Sequence, residues 1–357
     1  MRKANLLSIL VAGASAFLVS SCHNGDVEFP NYDYSTVYFA YQSPVRTLVM
    51  GEDTYDTSLD NEHKCKIYAT MGGAYSGTGS TVIDVMVDES LCDNLYFEDG
   101  TTPVMPMPSN YYSLASEQIV LNENENLMGG VEVQFTDAFF NDEKALDNTY
   151  VIPLRMTGVV NADSILSGVP KVSGAPWTNS EMWDTAPKNY VLYCVKYINK
   201  WDAEYLRRGV DVITEGGTTT TVNRHEEYVE DDEICSVSTR NLTTAVFPVS
   251  TTVGTNTLTC DLLLTFNDAD ECTITSGTDG YMASGSGKFV EKGEKNSWGN
   301  KDRNALYLEY TIDFGTKQYQ TKDTLVVQTR GVAFETFSPV YKSVSYTHLR
   351  AHETPEH

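Results

Sequence analysis

Apolar and polar residues alternate along the first half of the chain, beginning near Ser35. Residues 83–88 and 131–135 each place an apolar side chain at every second position, and glycine pairs such as Gly72-Gly73 interrupt the runs. Pro153 places the last clear stripe, 150–156, at a sheet edge or a bulge. Short alternating strands separated by turns predict an immunoglobulin-like antiparallel β-sandwich over residues 35–160.

Residues 161–189 lose this period and gain glycine, serine, proline and two tryptophans, Trp177 and Trp183. A segment of this length without regular structure is usually a linker or a functional loop. The domain boundary is therefore predicted here.

The strand pattern resumes over residues 190–343, with short connections and almost no helical periodicity. Such a series predicts a meander that closes into a barrel. The segment from Trp201 to Tyr205, with Gly209 shortly after it, has a lipocalin-like opening. A second sandwich is the alternative, because residue patterning alone seldom separates the two folds. The predicted class of the whole chain is all-β.

The first residues carry a targeting signal. Arg2 and Lys3 precede the apolar stretch 6–19, and small residues then lead to Cys22. This order is typical of a bacterial lipoprotein signal, in which residues 1–21 are removed and Cys22 is acylated on its thiol and its new amino group. Several acyl chains give stable anchoring. An ordinary secretory signal with an incidental cysteine is the alternative. Residues 22–34 would form an acidic tether.

The last residues, 344–357, resemble the translation of an adapter used in sequencing libraries. We therefore expect this tail to replace the native C-terminus. Three of the six histidines lie in it, so it supports no metal site.

The formal net charge is −24, which disfavours nucleic acid as a partner and limits membrane contact to the lipid anchor. Six cysteines remain after Cys22 and permit up to three disulfides outside the cytoplasm. Cys194 lies in an apolar run and is predicted to be a buried thiol. None of the six forms a CxxC pair, so zinc and thioredoxin-type chemistry lack their usual motif.

Two long stretches resemble a known group of proteins. The segments EFPNYDYSTVYFAYQSPVRTLVMGEDTYDTSLDNEHKCKIYATMGG and NTYVIPLRMTGVVNADSILSG resemble a domain of unknown function in surface lipoproteins of gut Bacteroidota. The segments YCVKYINKWDAEYLRRGVDV and SGKFVEKGEKNSWGNKDRNALYLEYT resemble the β-domain that often follows it. Related domains are encoded beside starch-utilisation-type importers, and some precede a family 18 endoglycosidase. The resemblance implies a glycan-capturing lipoprotein of the outer membrane, facing the cell surface or the periplasm, with importer subunits as partners.

Catalytic motifs are incomplete in this chain. The DGxDxDxE signature of family 18 enzymes is missing, and Val229 replaces the second histidine of an HExxH motif that would begin at His225. The run Gly285-Ser286-Gly287-Lys288 lacks P-loop spacing and is interpreted as a turn entering a strand. The acidic run 230–233 lacks EF-hand spacing and is interpreted as a solvated loop. The sequence therefore predicts a non-enzyme that needs no cofactor and no metal.

Glycan binding is the leading functional prediction. An exposed aromatic ring can stack on a sugar at low entropic cost, and the candidates are Trp298, Trp177 and Trp183, each of which could instead anchor its own loop. Trp201, at a strand entrance beside Tyr205, is assigned to the core. Two alternatives remain: an adhesin or assembly component that offers edge strands, and a small apolar ligand, such as a lipid, held inside the barrel.

Overall fold

The structure is a computed structural model that describes residues 33–73, 79–122 and 127–343. The predicted signal peptide, Cys22, nearly all of the tether and the tail 344–357 lie outside the described residues. None of the helices in the described ranges has the length and apolar character needed to cross a membrane.

Within the described residues, the first half is a β-sandwich with two short helices, α1 (Ser58–Asn61) and α2 (Asp137–Phe140), and 3-10 turns at Glu89–Cys92, Glu143–Leu146 and Ser180–Met182. Its strands are β1 (Thr36–Tyr38), β2 (Pro44–Val49), β3 (Lys64–Gly72), β4 (Thr81–Val87), β5 (Leu95–Tyr96), β6 (Met105–Pro106), β7 (Tyr112–Leu114), β8 (Gln118–Leu121), β9 (Met128–Phe135), β10 (Tyr150–Val160), β11 (Ser164–Ile165), β12 (Val169–Pro170), β13 (Trp183–Thr185) and β14 (Tyr190–Ile198).

Two sheets form the sandwich, and their alternating strands supply its core. Among the described residues the first sheet has the order β11-β1-β3-β9-β7, and the second contains β2-β14-β10-β4-β8 with β6 beside β10. Val131, Val133 and Phe135 of β9 point inward and are buried, as the alternation predicts. A Cβ atom on Gly129 would lie 2.0 Å from the carbonyl oxygen of Val120, so glycine there permits close approach of β8.

The strand β14 belongs to the sandwich, although the sequence pattern assigns it to the second domain. It pairs antiparallel with β10 and parallel with β2. Its residues are apolar at nearly every position because it is a central strand covered on both faces. In the predicted linker, β11 pairs with β1, and β12 pairs with β13. The chain therefore enters the second domain at about residue 199.

The second half of the chain forms the predicted barrel. It comprises residues 199–331, all of which the structure describes. Its strands are β15 (Ala203–Glu215), β16 (Thr218–Arg224), β17 (Glu233–Thr239), β18 (Thr244–Val253), β19 (Asn256–Phe266), β20 (Glu271–Ser276), β21 (Met282–Ser297), β22 (Lys301–Asp313) and β23 (Lys317–Thr329), with 3-10 turns at Val229–Asp231 and Trp298–Asn300. Consecutive strands pair from β17 to β23, and β15 pairs with both β17 and β23. This pairing closes the ring, whereas β16 pairs with β15 alone. The prediction of a closed barrel is confirmed, and the second sandwich is excluded.

Side chains fill the barrel interior. Aromatic and aliphatic residues including Tyr205, Phe247, Leu264 and Leu306 form one buried cluster. Trp201 belongs to this cluster and stacks on Phe266 with ring centroids 3.7 Å apart, which confirms its assignment to the core. An interior packed in this way does not favour the alternative of a lipid held inside the barrel.

The chain returns to the sandwich after the barrel. The strand β24 (Glu335–Thr336) pairs with β2, and β25 (Val340–Tyr341) pairs with β5. Between them and the barrel lies Arg330, which donates hydrogen bonds to the carbonyl oxygens of Met50, Asn199 and Asp202. One guanidinium group therefore joins backbone segments of both domains.

The six cysteines in the described residues are free thiols. Five of them, including Cys194, are buried, and Cys235 is half-buried. The prediction for Cys194 is confirmed, and the disulfides that the composition permits do not form. Burial raises the pKa of Cys65, Cys194 and Cys272 to about 12, so these thiols are unreactive at neutral pH.

Candidate functional site

The end of the barrel farther from the sandwich is open on one side. We call this end the barrel mouth; the hairpin turns after Glu215, Val253 and Asp313 surround it. The strands β17 and β18 pair only at Ser238–Val246 and Thr239–Ala245. Beyond these pairs β18 continues beside β19, and β16 continues beside β15. The strands β17 and β18 therefore diverge. A cleft of about 380 Å³ lies in the gap.

Polar side chains line the cleft from six strands, and Val249 and Ile213 contribute its small apolar part. The polar lining consists of Arg207, Asp211, Arg224, Glu233, Ser250, Thr251, Thr252, Thr257, Lys317, Tyr319 and Thr321. Concave sites with a few convergent polar groups are typical ligand sites.

Asp323 is the centre of a buried network beneath the cleft. Its side chain is fully inaccessible, and it accepts hydrogen bonds from Arg207 Nε at 3.1 Å and from Tyr310 Oη at 2.7 Å. Arg224 donates to its other oxygen. Burial and the neighbouring carboxylate raise the pKa of Tyr310 well above its usual value, so its hydroxyl remains a donor.

Asp211 forms the second half of the network, nearer the cleft. Arg224 Nε donates to its Oδ2 at 2.6 Å, and Thr321 donates to its Oδ1 at 2.7 Å. Burial alone would raise the pKa of Asp211, but the hydrogen bonds from Arg224 and Thr321 outweigh it and lower the pKa. Asp211 is therefore ionised at neutral pH and is neutralised by the guanidinium group of Arg224.

One donor of this network has no hydrogen-bond partner among the residues that the structure describes. Nη1 of Arg224 is buried without a hydrogen bond, although Nε and Nη2 of the same side chain are both bonded. Arg224 lines the cleft, and 20% of its side chain is exposed. An unpaired buried donor is costly, so an acceptor oxygen that reached Nη1 would stabilise this group.

Tyrosine rings form the rim of the barrel mouth. The hydroxyl groups of Tyr319 and Thr251 lie 2.6 Å apart across the cleft, and Tyr319 packs edge-on against Phe314. Phe314 in turn contacts Tyr281, with ring centroids 5.1 Å apart. The rim therefore presents aromatic surface beside the charged network.

The predicted tryptophans lie elsewhere. Trp177 and Trp183 stack on each other with ring centroids 5.3 Å apart, and Trp183 Nε1 donates to the carbonyl oxygen of Pro176. Trp298 is in the connection from β21 to β22, where its Nε1 donates to Val327 and the guanidinium of Arg303 covers one ring face at 3.2 Å. These bonds tie Trp183 and Trp298 to their own chain. Contact of the three rings with a ligand stays a prediction.

Sequence reasoning missed the charged network. Tyr205, Arg207 and Asp211 share one parity on β15, and Thr321, Asp323 and Leu325 share one parity on β23. Each strand therefore carries charged residues on the same face as its core residues. In the sequence, the change from apolar to charged residues along one face of these two strands is the signal for a polar end of the barrel interior.

Two family models match the chain. A model described as an N-terminal domain matches residues 32–163, and a domain of unknown function, DUF5627, matches residues 200–331. The second match begins where the barrel begins, after β14. No curated protein matches the chain.

Two solved structures from Bacteroides ovatus are similar to this chain. A protein of unknown function, solved at 2.40 Å, is 47% identical over 87% of this chain and 100% of its own, with a TM-score of 0.83. A provisionally named carbohydrate-binding protein, solved at 1.50 Å, is 11% identical over 84% of this chain and 97% of its own, with a TM-score of 0.26. The first likeness covers both domains, and the second is too weak to carry an argument.

Proposed function

We propose that this chain, which belongs to the same two-domain family as the Bacteroides ovatus protein of unknown function, binds a glycan at the barrel mouth without altering it. The observation that carries the proposal is the buried, unpartnered Nη1 of Arg224 in a cleft of polar side chains. A sugar hydroxyl can accept from this donor and at the same time donate to a neighbouring oxygen.

The charges of the cleft favour a neutral ligand. Three cations, Arg207, Arg224 and Lys317, line it or its floor, and three anions, Asp211, Glu233 and Asp323, oppose them. The whole chain carries a net charge of −24, which opposes the approach of an anionic ligand. A hydroxyl-rich, uncharged saccharide fits both conditions, and the rim tyrosines offer rings for its apolar face.

The clamped carboxylates support binding without hydrolysis. A glycosidase needs one carboxyl group that remains protonated and a second that acts as base or nucleophile. At the barrel mouth both interior carboxylates are hydrogen-bonded to arginine, and the bonds from Arg224 and Thr321 hold the pKa of Asp211 below its usual value. Asp211 is therefore not suited to donate a proton at neutral pH.

Calorimetric titration with maltohexaose, cellohexaose, xylohexaose and mannohexaose tests the proposal. We expect at least one of these neutral sugars to bind, and Arg224→Gln to weaken that binding at least tenfold because it removes the unpartnered cationic donor. Tyr319→Phe, which leaves the ion pairs intact, should also weaken binding, whereas Arg240→Gln, at an exposed position, should not. Absence of binding to all four sugars, or binding by Arg224→Gln as tight as that of the wild type, would contradict the proposal.

We also infer that the protein is anchored in the outer membrane through acylated Cys22, where it captures glycan beside importer subunits. Support comes from the basic, apolar and small-residue order of residues 1–22 and from the sequence resemblance to surface lipoproteins. Cell fractionation tests the anchor: the wild type should enter the membrane fraction, and Cys22→Ala should not. A wild-type protein found in the soluble fraction would contradict this inference. It would not affect the glycan site proposed at the barrel mouth.

A further inference from the structure

A second depression lies on the outer surface of the barrel, on the side of the wall rather than at its end. It has a volume of about 910 Å³ and crosses β19 to β23. We call it the outer groove. Its outward-facing side chains are Thr265, Asn267, Glu271, Thr273, Ser286, Lys288, Tyr307, Glu309 and Lys322.

Glycines on the inner face of β21 permit the close strand packing at this place. Gly285 and Gly287 point inward, and a Cβ atom on Gly287 would lie 2.5 Å from Leu308 Cδ2 and 2.6 Å from the carbonyl oxygen of Tyr307. A Cβ on Gly285 would lie 2.6 Å from Tyr310 Cβ. Because neither residue has a side chain, β21 can approach the core side chains of β22 there. The interpretation of residues 285–288 as a turn is wrong, because they lie within β21.

The strand register places the polar side chains of the groove in a row. Directly paired residues form the sequence Thr265, Thr273, Ser286, Glu309 and Lys322 across five adjacent strands. All five are exposed. Hydroxyl, carboxylate and ammonium groups therefore follow one another across the direction of the strands.

The charges in the groove are balanced locally. Lys322 pairs with Glu309 at 3.1 Å, and Lys288 pairs with Glu271 at 3.1 Å. Exposed pairs of this kind add little to stability, so a ligand can displace them at small cost. Tyr307 lies among them, and its hydroxyl donates to Glu294 at 2.7 Å, which holds the ring in place.

The outer groove continues towards the barrel mouth. Glu309 and Lys322 also line a neighbouring depression of about 380 Å³, which shares Ser284, Thr311 and Gln320 with a third depression of about 670 Å³. That third depression contains Tyr319, which also lines the cleft. A polar path therefore runs along the outer wall to the mouth.

We propose that the outer groove is a second saccharide site, which takes the extended part of a neutral glycan chain. The ligand class follows from balanced charges, a row of hydroxyl and carboxylate groups, and one fixed tyrosine ring. The site is separate from the mouth and does not depend on ligand binding there. Where one glycan occupies both sites, its second contact with the protein is intramolecular, and the affinity rises with the length of the glycan.

Affinity electrophoresis in gels containing soluble starch, xylan, mannan or pullulan tests the second site. We expect at least one of these polysaccharides to retard the wild type, and Ser286→Trp, which fills the groove from an exposed position, to weaken this retardation at least tenfold. Tyr307→Ala should weaken it as well. Thr157→Trp, an exposed strand position on the sandwich, is the matched control and should behave as the wild type.

The two sites give different results in this design. Ser286→Trp should retain the binding of the short sugar at the mouth, and Arg224→Gln should lose it. No retardation of the wild type by any of the four polymers, or unchanged retardation of both groove variants, would overturn the second site. Unchanged hexasaccharide binding by Arg224→Gln would instead contradict the function proposed for the mouth.

Discussion

At the scale of single residues, the barrel mouth holds ionised side chains inside the protein because each has a partner of opposite charge. Asp211 is 9% exposed, and its oxygens accept hydrogen bonds from Arg224 and Thr321. Removing one member of a buried pair leaves the other charge without compensation, which costs about 3–5 kcal/mol. The network is therefore sensitive to any single neutralising change.

We expect Asp211→Asn to lower the free energy of unfolding by about 1–3 kcal/mol at pH 7, because Arg224 loses its bidentate partner but keeps its bond to Asp323. The folded-state pKa of Asp211 lies below its unfolded value of about 3.9. Its contribution is therefore complete above that value and is lost as the pH falls through the folded-state pKa. Urea denaturation at pH 7 and pH 3 should show a smaller pH dependence for the variant. Asp268→Asn, in an exposed loop, should match the wild type at both pH values.

At the scale of elements, β21 shows how residues without side chains shape a surface. Gly285 and Gly287 face the core, whereas the adjacent residues Ser284 and Ser286 face solvent. The same strand thus packs closely on the core with one face and supplies polar lining of the outer groove with the other.

Gly287→Val should destabilise the barrel by about 1–3 kcal/mol, because its Cβ atom would enter the space of Leu308 and of the Tyr307 carbonyl group. Ser284→Val introduces the same side chain on the outer face of the same strand, and its unfolding midpoint should stay near that of the wild type. Urea denaturation of both variants measures the difference. Equal stability of the two would show that the inner face has room at residue 287.

The alternation of apolar and polar residues predicts strands well where one face meets the core and the other meets solvent, as in β9. It assigns β14 to the wrong side of the boundary, because a strand that is apolar on both faces gives no sign of which sheet covers it. The sequence of β15 and β23 shows charged residues on the core face, but it does not show which of them pair. Arg207 and Asp323 are separated by 116 residues in sequence, and only closure of the barrel brings them together. The carbonyl groups that accept hydrogen bonds from the tryptophan indole N–H groups are likewise fixed by the folded structure.

At the scale of the whole molecule, the two domains are joined by more than the covalent chain. Nη1 of Arg330 donates a hydrogen bond of 2.7 Å to the carbonyl oxygen of Met50 in the sandwich, and its Nε donates one of 3.1 Å to the carbonyl oxygen of Asp202 at the start of the barrel. The strands β24 and β25 then extend the sandwich after the barrel has ended. Residues from the end of the sequence therefore contribute to the domain formed by its beginning.

Arg330→Ala should separate the unfolding of the two domains, because three backbone carbonyl oxygens lose their shared donor. Scanning calorimetry should show two transitions, or one broader transition, where the wild type shows a narrower one. Arg240→Ala removes an exposed ion pair with Glu143 between the same domains and should leave the profile nearly unchanged. Identical profiles for wild type and Arg330→Ala would show that the strands alone couple the domains.

The six unpaired cysteines provide built-in reporters of local opening. Cys65, Cys92 and Cys194 belong to the sandwich, and Cys235, Cys260 and Cys272 belong to the barrel. Because burial shields most of these thiols, an alkylating reagent should modify them mainly when the surrounding strands part. Mass spectrometry of peptides from each half, after timed labelling, would therefore give separate opening rates for the two domains without any engineered probe.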